Sequence, residues 1–269
     1  MDFNVIKALF YTCSSYPKIA APHRFSPFND FELCTLTSLS STLDNDLNVR
    51  KYIEELKKGL RSIDNINLGE SLAQGLQSSL RNVGSNAMIE VSIASTMILY
   101  INYIVRLQHI DFHESVRYLY RAMSLNNTSE TLSFVKALKN FGKEMAALID
   151  RAEIAERKIA LENMKLSDVF QTLSKISLKF EAFANMHKIF DVLNTVEDIA
   201  RTLNDINSIL SRLSLLLALG ERSTKSTDYK SLGDILRMDI EYRKKNMDKL
   251  YIIPYIMFAS LYMVVTKGY

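Results

Sequence analysis

Along most of this chain apolar residues recur every three or four positions, the period of an amphipathic α-helix. Val5, Ile6, Leu9 and Phe10 make the first stripe and predict a helix over 3–13. The pattern resumes over 32–44, 47–62 and 68–81. From Ala87 to Leu107 apolar residues cover every face. That distribution suits a helix central in a bundle or in a membrane, and Glu90, Asn102 and Arg106 favour the bundle. Further helices are expected over 112–124, from Ser129 (a plausible N-cap) to about 163, over 166–178 and over 180–219. Val192, Val196, Ile199, Leu203, Ile206, Leu210, Leu213 and Leu217 form one long stripe, which Gly220 should stop. The polar stretch 221–229 reads as a surface loop, before two last helices over 231–245 and 249–266. Strand-like alternation and a fixed-period repeat are both missing. The expectation is all-α: one domain over 1–269, a bundle of about ten helices.

Two interruptions stand out. Residues 14–31 contain Pro17, Pro22 and Pro27, which block helical hydrogen bonding, together with His23, Arg24, Asn29 and Asp30. Asn82–Asn86 is a short break whose Gly84 can take a positive φ. It opens the most apolar helix, with Ser85 or Asn86 as the expected cap.

Composition adjusts this picture only slightly. Eight glycines and four prolines in 269 residues leave little material for tight turns, as a helical chain requires. A net charge of +3 is too even to argue for a nucleic-acid partner. The run Arg243-Lys244-Lys245 lies among Asp239, Glu241 and Asp248 and reads as a solvated helix face. Residues 250–265 are almost wholly apolar, but fall short of the ~20 residues of a bilayer span and are interrupted by Pro254. A buried core helix, and no membrane partner, is the expectation. Cys13 and Cys34 belong to no CxxC pair or His cluster, which excludes a disulfide scaffold or zinc ribbon as the organising principle. The start of the chain lacks a signal-peptide pattern, so a reducing cytoplasm is expected. His109 and His113 are four apart without an HExxH pattern, and His187 is isolated, so no metal site is expected.

The first interruption carries the clearest chemistry. Lys18, His23 and Arg24 converge on a proline-stiffened loop, a form suited to holding an anion. At the second, the helix starting near Asn86 gathers unpaired N–H groups and a positive dipole end, where phosphate is at home.

The same two stretches resemble the triphosphoribosyl-dephospho-CoA synthase family, including its archaeal-type members. That family carries an early Glu, then a Pro-Lys-Pro-Gly-Asn-Val-His-Arg-like loop, and later a Gly-Asn-Thr-Asn/His-x-Gly turn before a buried helix. Here the loop reads Ser15-Tyr16-Pro17-Lys18-Ile19-Ala20-Ala21-Pro22-His23-Arg24-Phe25, and the turn reads Gly84-Ser85-Asn86-Ala87-Met88-Ile89-Glu90. Weaker similarity runs through 116–122 and reaches the last apolar helix. The resemblance implies transfer of a triphosphoribosyl group from ATP to dephospho-CoA, with Mg²⁺ on the triphosphate. It also implies nucleotide or phosphate contacts from Lys18, His23, Arg24 and Asn86.

Departures cut into that implication. Thr12 stands where the family has its Glu, Ile19 and Ala20 replace the Pro-Gly pair, and Pro27 replaces an Asp. Ala87 and Glu90 replace the Thr and Gly of the turn. Displacement at an anomeric carbon builds oxocarbenium-like charge and calls for a carboxylate. Asp30 and Glu90 are the candidate substitutes. Three readings stand: an active transferase using them, a catalytically inactive paralogue that binds a nucleotide or anion, and a structural helical protein. In the last, the 166–219 stripe or the 250–265 helix would bury against a second chain, for instance in a homo-oligomer.

Overall fold

The computed structural model describes residues 1–26, 29–220, 232–245 and 247–269, and these are all-helical with no strand. The expected loop at 221–229, Pro27 and Asn246 lie outside the described residues. The helices, in order, are α1 (Phe3–Ser14), α2 (Asp30–Leu43), α3 (Asp46–Lys57), α4 (Leu68–Val83), α5 (Ile89–Gln108), α6 (Phe112–Leu125), α7 (Thr128–Asn140) and α8 (Lys143–Arg151). After them come α9 (Glu156–Glu162), α10 (Leu166–Ser174), α11 (Glu181–Ala184), α12 (Met186–Ala200), α13 (Ile206–Leu219), α14 (Leu232–Lys244) and α15 (Ile253–Lys267).

Because α5 is apolar on all sides, it can satisfy that surface only at the centre, and α1, α2, α3, α4, α6 and α15 pack around it. α15 is buried from Ile253 to Val264 against α1, α5, α12 and α13. Pro254 sits in its first turn, where a missing N–H costs nothing, so it starts the helix instead of interrupting it. Among the described residues two stretches, Ile89–Gln108 and Leu250–Lys267, are long and apolar enough to cross a membrane. Most of each is buried inside the protein, as a core helix would be.

The α2–α4–α5 contact is different in kind. Ser41 Oγ meets Ser79 Oγ at 2.7 Å and donates to Ser92 Oγ at 2.9 Å, in a buried hydroxyl cluster. Asn45 donates to the carbonyls of Ser41 and Ser71. Small residues here let backbones approach closely. A Cβ on Gly75 would lie 2.6 Å from Thr96 Oγ1 on α5, and where α4 instead meets α7, one on Gly69 would lie 2.6 Å from the Glu130 carbonyl. Each hydroxyl pair adds about 1 kcal/mol net, but leaving one unpaired in this buried seam would cost more.

Fifteen α-helices among the described residues replace the expected ten. The extra ones come from splits inside long apolar stripes. Gly142, at φ 153°, separates α7 from α8, and Glu153 and Asn163 take left-handed backbone on either side of α9. The expected 180–219 helix divides at Asn185, whose side chain caps the amide of Lys188, and again at Asp205, which caps Ser208. Asn127, not Ser129, caps α7. The cap expected from Ser85 or Asn86 is also displaced: α5 begins after Met88 with no side-chain cap. The 166–219 and 250–265 stripes bury largely within the same chain. Finally, Cys13 and Cys34 form a disulfide joining α1 to α2, with Cα atoms 5.8 Å apart. A single bridge is no scaffold. It does remove cysteine usage as an argument for a reducing compartment.

Candidate functional site

The chain between α1 and α2 is the irregular segment that the sequence marks, and the Cys13–Cys34 bridge closes it into a loop. Its positive groups turn inward. Lys18 is fully buried, and its ammonium donates to the carbonyls of Thr12 and, at 2.6 Å, of Pro22. Burial pushes the Lys18 pKa well below its usual value. Thr12 is buried and donates its own hydroxyl to the Ala8 carbonyl at 2.7 Å.

His23 is equally enclosed. Its Nδ1 accepts from the Phe25 amide at 3.2 Å, which leaves the ring proton on Nε2, facing Asp239 Oδ2 at 3.4 Å. The other oxygen of Asp239 accepts from the Ala20 amide at 2.6 Å and from Arg243 Nε at 2.8 Å. Burial alone would raise the Asp239 pKa. The hydrogen bonds from His23 and Ala20, with the Arg243 charge, outweigh it and hold the carboxyl below its ordinary value. Arg243 also reaches Asp30, the Ala21 carbonyl at 2.9 Å and Ser26 Oγ at 3.3 Å. Arg243 is therefore not part of a solvated face, as its run suggested, although Lys244 and Lys245 are exposed. Lys249 donates its amide to the Ala20 carbonyl at 2.8 Å, a further tie to the C-terminal part of the chain.

The loop's outer side is tied to α13. Asn207 donates to the Tyr16 carbonyl at 2.9 Å and accepts from its amide at 3.0 Å. Arg24 is exposed, yet its guanidinium already meets the Ser14 carbonyl at 3.2 Å and Asn207 Oδ1 at 3.3 Å. The anion that the loop's cations were expected to hold is thus supplied by the chain's own Asp239 and by backbone carbonyls.

The second stretch does not join this cluster through any hydrogen bond or ion pair among the described residues. Asn86 is exposed in a one-turn 3₁₀ segment, Gly84–Asn86, and Gly84 has the anticipated positive φ of 74°. Glu90 lies in the first turn of α5, buried, with Oε1 lacking a hydrogen-bond partner. Burial raises its pKa, which the Lys179 charge partly opposes. Burial would lower the Lys179 pKa, but the Glu90 and Glu144 carboxylates outweigh it and raise the value.

Tested against this geometry, Mg²⁺ and a triphosphate do not fit the expected residues. Asp30 is engaged by Arg243, Lys18 points into the protein, and no group of three or more His, Cys, Asp or Glu side chains among the described residues could hold a metal ion. His109 ends α5 in left-handed backbone, while His113 lies on α6 against Phe190, 5.6 Å between ring centres. Asp239, Arg243 and Asn207 are the residues that sequence reasoning missed. Their one local signal was the Asp239/Arg243 pair at i,i+4, where an ion pair can form. No protein-family model, curated protein or solved structure matches the chain.

Proposed function

We propose that this chain is a catalytically inactive paralogue with a triphosphoribosyl-dephospho-CoA synthase-like helical scaffold. In this reading the former phosphate-holding loop serves as an internal brace between α1, α13 and α14. The observation that carries it is Lys18: its ammonium is buried and saturated by two backbone carbonyls, so a triphosphate would have to extract it from the core. Buried ammonium groups are costly to move between partners because each intermediate leaves a charge unpaired. Thr12 adds a second argument, since a hydroxyl bonded to Ala8 cannot do a carboxylate's work on a developing oxocarbenium ion.

The test is incubation of the full chain with ATP, Mg²⁺ and dephospho-CoA, followed by chromatography for free adenine. The expected result is no adenine above an enzyme-free control. Sustained adenine release that depends on dephospho-CoA overturns the reading.

A further inference from the structure

We propose that the groove between α6, α10 and the start of α12 binds a phosphate monoester with an apolar or aromatic body. The groove holds about 440 Å³, a size typical of small-molecule sites. Arg117 and Arg121 line it from α6, one helical turn apart, and His187 lines it from the first turn of α12. Among the described residues, no Asp or Glu lines it.

The pairing of these arginines sets them apart. Arg61, Arg81, Arg106 and Arg243 each meet a carboxylate from another element or a loop. Arg121 makes no ion pair among the described residues. Arg117 meets only Glu114, three residues back on its own helix, and both are exposed. An exposed pair of that kind is weak, so the guanidinium can be recruited. The Arg117 guanidinium also lies 5.2 Å from the centre of the Phe190 ring, which steadies its plane. Two guanidinium forks on one wall match the doubly charged end of a phosphate monoester better than a single carboxylate. Ser167 and Gln171 add neutral polar contacts from α10.

The remaining wall fixes the other half of the ligand. Met123, Phe183 and Met186 give the groove an apolar side. A neighbouring cavity of about 820 Å³ shares Asn185 and His187 with it and is walled in part by Val192, Leu213 and Leu217. A ligand with its phosphate on the arginines has apolar surface to cover in that direction. No residue of the 15–26 loop lines the groove, so the inference stands apart from the fate of the transfer chemistry.

Isothermal titration of the full chain with inorganic phosphate and with phenyl phosphate tests this. Phenyl phosphate should bind at least ~10-fold more tightly than phosphate, equivalent to one decade in Kd. Arg121→Gln, with Arg117→Gln as a second variant, should weaken it by at least ~10-fold, while Arg24→Gln on the braced loop should leave it unchanged. No binding of phenyl phosphate at ~10 mM, a range where ΔG is only a few kcal/mol, overturns the proposal. So does equal binding of the two probes, or an affinity that Arg121→Gln and Arg117→Gln leave intact.

Discussion

The 15–26 loop and the α6–α12 groove are both basic, but their charges have opposite fates. In the loop, Lys18 and His23 are buried and the exposed Arg24 is tied to Ser14 and Asn207. In the groove, the exposed Arg121 has no ion pair among the described residues and the exposed Arg117 only a weak one to Glu114 on its own helix. A cation with internal partners contributes to folding, and moving it for a ligand is expensive. A cation left in water costs little to recruit. Sequence shows the same residue types in both places, so type alone does not separate a brace from a binding wall.

The largest effect should come from breaking the brace at its anion. Asp239→Ala strips partners from His23, the Ala20 amide and Arg243 at once. Removing one member of a buried ion pair costs about 3–5 kcal/mol, and a denaturant midpoint should fall accordingly. Replacing both Cys13 and Cys34 with Ser opens the segment that the brace holds. About 2–4 kcal/mol of stability should be lost, as chemical unfolding with and without reductant would show.

A pH series sharpens the comparison further. The folded-state pKa of Asp239 lies below its unfolded value, so its stabilisation is present above about pH 4 and is lost as pH falls through the folded pKa. Asp239→Ala should therefore flatten the acid limb. Glu130, on α7 against Gly69, behaves in the opposite sense. Burial raises its carboxyl to about 7, although the Gly69 amide donates to it at 2.8 Å. The folded chain holds that proton longer than the unfolded chain does, so stability should decline as pH rises from about 4.5 to about 7 and then level. Glu130→Gln should remove that slope and leave the acid limb intact. The smallest effect belongs to the groove: Arg121→Gln should change stability by less than about 0.5 kcal/mol, as for an exposed residue with no ion pair among the described residues.

Helical class and the central place of α5 were legible because an all-round apolar segment has few alternatives. The expected 180–219 helix failed for a specific reason. Its apolar period continues through Asn185 and Asp205, but these two side chains cap backbone amides and end the turns before them. The loop was found by its prolines and its basic residues. Its internal partners were not legible, because Asn207, Asp239 and Arg243 lie 183 to 222 residues away in sequence from the loop groups they bind. Periodicity carries no information on such pairings. The arginines of α6 sit in an ordinary amphipathic helix, and only the gap opposite them distinguishes their face.

The docking of α15 on α1 has a consequence for the order of synthesis. Ser260 donates to the Ala8 carbonyl at 3.0 Å, and the early loop is tied to the Asp239–Lys249 region, so the first and last stretches close on each other. On a ribosome α1 and its early neighbour α2 emerge long before α15, so the part of α1 that α15 covers stays open until that helix follows. Such late, long-range closure slows folding and leaves surface open to aggregation or to a chaperone in the interval.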